Sequence, residues 1–214
     1  MKKTLKITEI FYSLQGETNT VGLPTVFIRL TGCPLRCVYC DTAYAFKGGQ
    51  RLSFEQIFEN VAQYQCKHVT VTGGEPLAQP DCLPLLTALC DQGYSVSLET
   101  SGAIDVSQVD KRVIKIIDLK TPSSGELDKN LYENLSYITP HDQIKFVIGD
   151  ETDYQWSKKV MAEYDLTNKS QILFSPIYQS IEPRQLADWI LQDQLPVRFQ
   201  IQLHKYLWND EPGR

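Results

Sequence analysis

No apolar run in the 214-residue sequence approaches the roughly 20 residues a membrane-spanning helix needs, so no helical span is expected. Positive charge is not in excess either. The net charge is −5, which argues against a general nucleic-acid-binding surface. A continuous signal core is also missing: Met1-Lys2-Lys3-Thr4 is basic but leads into alternating Leu5, Ile7 and Ile10. A cytoplasmic location is therefore expected. No internal repeat, linker or low-complexity segment interrupts the chain, so one domain over residues 1–214 is expected. With 42% hydrophobic residues, that domain can bury a sizeable core.

What the sequence does have is six cysteines: Cys33, Cys37, Cys40, Cys66, Cys82 and Cys90. An even count would suit disulfides, but the absent signal and the crowding of three within eight residues point to a reduced compartment and a metal site. Cys66, Cys82 and Cys90 read as small buried hydrophobes. Cys33, Cys37 and Cys40 follow C-x3-C-x2-C spacing in a Gly- and Pro-containing loop. Three thiolates so placed can converge on one soft metal centre. Structural zinc, the plain alternative, prefers four ligands, and the nearest further donors, Cys66 and His68, are distant in sequence.

Periodicity gives a coarse fold. Residues 5–14 alternate loosely and read as a strand, and 25–30 form a β-branched apolar run suited to a buried strand. Ser53-Phe54-Glu55-Gln56 has the form of a capping box, opening a helix to about Tyr64. Strands are expected at 68–72, 94–99, 113–118, 143–148, 172–174 and 197–203, with helices at 80–92, 153–164 and 183–191. This alternation predicts parallel βα units. A complete eight-unit barrel needs about 250 residues. The expectation is an open, partial (βα) barrel of roughly six units plus an N-terminal strand. Polar, Gly-containing segments recur after the strands, at 31–42, 73–76, 100–102, 118–124 and 175–178. In parallel α/β folds that edge binds ligands.

The cysteine loop and Thr72-Gly73-Gly74-Glu75-Pro76, one βα unit later, together resemble the radical S-adenosylmethionine (SAM) superfamily. Glycines there let backbone approach a zwitterionic ligand. The resemblance narrows with Phe11–Glu17, Phe27–Cys33, Cys40-Asp41-Thr42, Leu98–Gly102 and His204–Trp208, which are similar to the 7-carboxy-7-deazaguanine synthase family over almost the whole chain. That resemblance implies a 4Fe–4S cluster on Cys33, Cys37 and Cys40, SAM on its open iron, and Mg²⁺ held by Thr42. It implies rearrangement of 6-carboxy-5,6,7,8-tetrahydropterin to 7-carboxy-7-deazaguanine with loss of ammonia, for queuosine-type bases. It places the pterin substrate against Leu14, Gln15, Gly16, Arg29, Thr72 and His204. SAM would meet Tyr39, Cys40, Asp41, Gly74, Glu99, Ser101, Asp118, Leu119, Lys120, Ser175, Pro176, Ile177 and Tyr178. Some family members carry Ser-Pro-Lys where this chain has Asp118-Leu119-Lys120, so the polar partners of Asp118 stay open.

The residues have physical sense in those places. Arg29 interrupts an apolar strand; facing inward it needs an anion, either the substrate carboxylate or a buried partner such as Glu17 or Glu99. His204 is expected at the end of the last strand, before a polar tail of residues 209–214. By family analogy the chain would form a homodimer and take electrons from a flavodoxin or ferredoxin, without contacting nucleic acid or membrane. Two alternatives remain open at this point: a glycyl-radical activating enzyme with a groove for a partner protein, and a non-catalytic zinc-binding module.

Overall fold

The computed structural model describes residues 3–209, 211 and 213. Met1 and Lys2 of the basic N-terminus, and Asp210, Pro212 and Arg214 of the polar tail, lie outside the described residues.

One nine-stranded sheet runs in the order β3-β1-β2-β4-β5-β6-β7-β8-β9. β1 (Thr4–Leu14) is antiparallel to both its neighbours, β2 (Pro24–Leu30) and β3 (Gln50–Ser53). From β2 onward all pairs are parallel: β4 (His68–Gly73), β5 (Ser95–Thr100), β6 (Ile114–Leu119), β7 (Gln143–Ile148), β8 (Gln171–Pro176) and β9 (Arg198–Phe199). The N-terminal strand thus caps an open, partial barrel.

Four helices cover its outer face: α1 (Phe54–Ala62), α2 (Cys82–Asp91), α3 (Glu151–Glu163) and α4 (Pro183–Gln192). The expected capping box is formed, with Ser53 Oγ accepting from Gln56 N at 3.4 Å and Gln56 Oε1 accepting from Ser53 N at 2.9 Å. Two of the six parallel crossovers carry no α-helix. Residues 101–113 are turns, stabilised where Asp105 and Asp110 accept from backbone N–H groups two residues on. Residues 120–142 contain short 3₁₀ turns, the first opened by Pro122 and ended by Gly125.

The period-2 alternation of the strands divides two chemistries. On the helix side, Val26, Ile28, Leu30, Val69, Val71, Leu98, Ile117, Leu119, Ile144 and Phe146 join the core. Leu85, Leu86 and Leu89 of α2 are fully buried against it, each contributing about 1.5–3 kcal/mol. On the other face Arg29, Thr72, Glu99, Asp118 and Lys145 line a cavity. Cys82 is buried as expected, and Cys66 and Cys90 are half-buried against the core; all six cysteines are free.

The last expected strand, 197–203, is shortened to Arg198–Phe199, followed by α5 (Leu203–Trp208). Beyond Phe199, Gln200 and Gln202 turn their amides onto Glu17. His204 therefore sits in the first turn of α5, not at a strand end. No helix among the described residues is long and apolar enough to cross a membrane.

One ion pair outside the cavity ties β6 to the segment before β7. Lys115 Nζ lies 2.9 Å from Asp142 Oδ2, and the two side chains are 4% and 0% exposed. Asp142 also accepts from the Lys115 and Thr139 backbone N–H groups. Asp142→Ala, which leaves the ammonium buried and alone, is expected to cost about 3–5 kcal/mol of unfolding free energy. Urea denaturation measures it; a loss below 1 kcal/mol would show the pair to be dispensable.

Candidate active site

The cavity encloses about 510 Å³ at the C-terminal ends of the parallel strands. Its upper wall is the cysteine loop, which leaves β2 directly. Leu35 is buried and anchors the loop. The Arg36 guanidinium donates to the carbonyls of Cys33 (2.8 Å) and Leu35 (2.5 Å) and lies 4.3 Å over the Phe46 ring. Val38 N–H donates to Ser124 O at 3.0 Å. Cys33, Cys37 and Cys40 are all partly exposed, and all line the cavity.

The glycine loop after β4 packs directly against this one. Glu75 N–H donates to Gly32 O (2.8 Å), and Gly74 N–H to Leu30 O (3.2 Å). A Cβ on Gly74 would collide with Gly32 O and stand 2.7 Å from Cys33 Cβ. Glu75, fully buried, accepts from Ser101 N–H (2.7 Å), Ser101 Oγ (2.6 Å) and Thr100 Oγ1 (2.9 Å), tying the loop after β5 to the other two.

This arrangement fits the group implied by the sequence. Three soft thiols share one chamber, and the two further zinc-ligand candidates are elsewhere. Cys66 Sγ donates to Pro24 O at 3.0 Å, and His68 lines a separate small recess. Neither lines the main cavity, so neither supplies a fourth ligand to the three thiols.

The opposite end of the chamber is built from β1, β2 and the C-terminal segment. Gln15 is 2% exposed and its amide is fully engaged. Oε1 accepts from the Gly16 and Glu17 N–H groups (2.8 and 3.0 Å), while Nε2 donates to Thr70 Oγ1 (3.3 Å) and Glu99 Oε1 (3.2 Å). Gln15 thus shapes its own loop and aims Glu99, instead of offering a free donor–acceptor edge. Glu99 accepts from Thr72 Oγ1 as well (3.2 Å), which links it to Gln15 and Thr72. Burial raises the Glu99 carboxyl above the usual range, against the lowering effect of Lys145. A Cβ on Gly16 would stand 2.7 Å from His204 Nδ1, so glycine is what lets the histidine in.

Arg29 finds a partner that the sequence reading did not name. Its Nε lies 2.7 Å from Glu9 Oε1, directly across the β1–β2 ladder, in place of Glu17 or Glu99. Phe11 and Tyr44 flank the guanidinium at 5.6 and 5.9 Å. The terminal nitrogens of its fork are unengaged among the described residues.

Of the expected site residues, Leu14, Gln15, Gly16, Arg29, Thr72, His204, Tyr39, Asp41, Thr42, Gly74, Glu99, Ser101, Asp118, Lys120, Ile177 and Tyr178 line the cavity with the three cysteines. Leu119, Ser175 and Pro176 do not. The pleat turns Leu119 into the helix-side core, and Ser175 and Pro176 are buried within β8. The partners of Asp118 are Lys120 (3.2 Å) and Lys145 (3.3 Å).

Several lining residues were missed: Glu17, Lys145, Gln202 and Lys205. Lys145 interrupts an apolar strand just as Arg29 does, and that same signal would have found it. Glu17 Oε2 lies 3.0 Å from Lys145 Nζ, and Oε1 accepts from Gln202 Nε2 at 3.0 Å, with His204 Nδ1 at 3.9 Å. Burial alone would raise the Glu17 carboxyl; Lys145, His204 and Gln202 outweigh it and hold it at about 2. Lys205 closes the rim, 3.2 Å from Asp41 and 5.1 Å over the Tyr178 ring.

The fold and the three-thiol loop define a radical SAM protein, and residues 27–162 match the Radical SAM superfamily. Beyond the superfamily, the chain is 45% identical over 210 residues to the 7-carboxy-7-deazaguanine synthase of Chlorobaculum tepidum, covering 97% of this chain and 96% of that one. It is 42% identical to the enzyme of that name from Koribacter versatilis, covering 97% and 98%. The crystal structure of QueE from Escherichia coli superposes with a TM-score of 0.77 at 26% identity, over 93% of this chain and 94% of that one. The chain belongs to the 7-carboxy-7-deazaguanine synthase family of radical SAM enzymes.

Two outcomes follow from the geometry. Gly74→Ala is expected to displace Gly32 and Cys33, so that the iron retained per chain after anaerobic reconstitution falls well below the wild-type value; unchanged iron content would contradict the close approach. The low carboxyl pKa of Glu17 contributes stability that is complete above about pH 4.5 and lost as pH falls toward 2. The gap in denaturation midpoint between wild type and Glu17→Gln should therefore narrow as pH falls through that window. A constant gap would contradict the ion pair.

Proposed function

We propose that the protein is a 7-carboxy-7-deazaguanine synthase, converting 6-carboxy-5,6,7,8-tetrahydropterin to 7-carboxy-7-deazaguanine with release of ammonia, for deazapurine bases of the queuosine type. The observation that carries this reading is one chamber with two unlike ends: three thiols and a glycine cradle at one, and a polar, charged pocket of Gln15, Glu17, Arg29, Thr72 and Glu99 at the other.

Cys33, Cys37 and Cys40 hold the 4Fe–4S cluster. When bound, cluster and SAM supply one-electron reductive cleavage that generates a hydrogen-abstracting radical. The rest is the work of this chain's side chains. The Gly73–Gly74 backbone meets the SAM amino group. Asp118 and Lys120, with Ile177 and Tyr178, hold the ribose and adenine. Tyr39, Asp41 and Ser101 complete that end, although the Ser101 hydroxyl is committed to Glu75. Leu119, Ser175 and Pro176 shape these loops from behind.

At the other end Arg29 offers its open fork to the substrate carboxylate. Glu99, aimed by Gln15 and Thr72, accepts hydrogen bonds from the pterin ring. Leu14, Gly16 and His204 close the pocket and exclude water. Thr42 is the protein's ligand for Mg²⁺; the Asp41 carboxylate 2.8 Å from its hydroxyl supplies the hard, negative surroundings that cation favours. A homodimer, a flavodoxin- or ferredoxin-type electron donor, a single radical SAM domain and a cytoplasmic location complete the proposal.

An anaerobic assay of the reconstituted protein with SAM, Mg²⁺, reductant and the carboxytetrahydropterin, followed by mass, tests it. Product is expected from wild type and none from Cys33→Ala, Cys37→Ala or Cys40→Ala. SAM cleavage that leaves the pterin unchanged would keep the superfamily and overturn the substrate.

A further inference from the structure

One buried charge in the chamber touches neither the cysteine loop nor the glycine cradle. Lys145 projects from the middle of β7, where its neighbours Ile144 and Phe146 face the helices. Its side chain is 9% exposed. Its register partner on β6 is Asp118. Nζ lies 3.0 Å from Glu17 and 3.3 Å from Asp118, and Asp118 in turn lies 3.2 Å from Lys120. Charges of alternating sign, Glu17, Lys145, Asp118 and Lys120, thus cross the chamber from the pterin end to the SAM end. Burial would lower the Lys145 pKa; Glu17, Asp118 and Glu99 outweigh it and hold the ammonium charged. Without this cation Glu17 and Asp118 would lose the partner they share.

We propose that Lys145 is a positioning residue that couples the two halves of the site, so that pterin binding against Glu17 is felt by SAM at Asp118. The inference rests on the function proposed above. Glu17 and Asp118 share one ammonium, so a substrate that draws on Glu17 changes how firmly Lys145 holds Asp118, and with it the ribose end of SAM. Such coupling is reciprocal: each ligand changes the affinity of the other by the same factor, typically about 5- to 150-fold. Its use is to commit SAM to cleavage only when a substrate is present to take the hydrogen loss.

The test is anaerobic equilibrium dialysis of SAM on reconstituted wild type, Lys145→Met and Lys145→Arg, with and without the carboxytetrahydropterin. The ratio of 5′-deoxyadenosine to deazaguanine product is followed in parallel. Pterin should tighten SAM binding by about fivefold or more in wild type. In Lys145→Met the two affinities should be equal and deoxyadenosine should exceed product, while Lys145→Arg should keep most of the coupling. Lys145→Gln, with a polar side chain of no charge, carries the same expectation if the methionine variant loses its fold. A pterin effect on SAM affinity that is absent in wild type, or unchanged in the uncharged variants, would overturn the coupling. No product from wild type would instead overturn the proposed function, so the two failures are separable.

Discussion

The close backbone approach between Gly32 and the Gly73–Gly74 turn sets the geometry of everything else at the top of the barrel. β2 and β4 are parallel neighbours with Leu30 opposite Gly73, so the loops that leave them start side by side. Two hydrogen bonds then lock them, from Glu75 N–H to Gly32 O and from Gly74 N–H to Leu30 O. Any side chain at position 74 would push them apart. Because Glu75 is also the buried acceptor for Thr100 and Ser101, the loop after β5 is fixed to the same unit. Cysteine loop, glycine cradle and third loop are thus joined through Glu75 and the Gly32–Gly74 contact.

The strands make the second contribution through simple alternation. Alternate residues of β2, β4, β5, β6 and β7, such as Ile28, Val71, Leu98, Ile117 and Ile144, feed the helix-side core. Among the residues between them, Arg29, Thr72, Glu99, Asp118 and Lys145 carry a hydroxyl, carboxylates and cations into the chamber. Several of the buried charges there have an opposite partner: Arg29 with Glu9, Lys145 with Glu17 and Asp118, Lys205 with Asp41. The C-terminal segment then completes the wall. Gln202 spans Glu17 and Asp41, and Leu203 N–H donates to Gly16 O.

Much of this was legible in the sequence because it is local. Cysteine spacing, the glycine turn, the capping box at Ser53 and the apolar runs of the central strands all lie within a dozen residues, and each formed as read. What was not legible depends on register across the chain. Glu9 opposite Arg29, and Lys145 opposite Asp118, follow from strand pairing that no local window contains. Glu17 and Gln202 are separated by 185 residues and meet only because α5 folds back over the cavity. The resemblance places Gln15 against the substrate, yet its amide serves the loop and Glu99. β3 was overlooked because four mostly polar residues carry no strand period and pair only because β1 presents an open edge. At 101–113 and 120–142, where the periodicity predicts no helix, turn-forming Gly, Pro, Asp and Ser residues make the crossovers from turns and short 3₁₀ segments.

Electron paramagnetic resonance of the reduced, reconstituted protein tests most directly whether thiols, SAM and pterin share one chamber. The cluster signal is expected to change when SAM is added, and to change again when the carboxytetrahydropterin joins it, because the second ligand sits against residues linked to the first. A signal that responds to SAM but is indifferent to saturating pterin would contradict a shared chamber and place the substrate elsewhere.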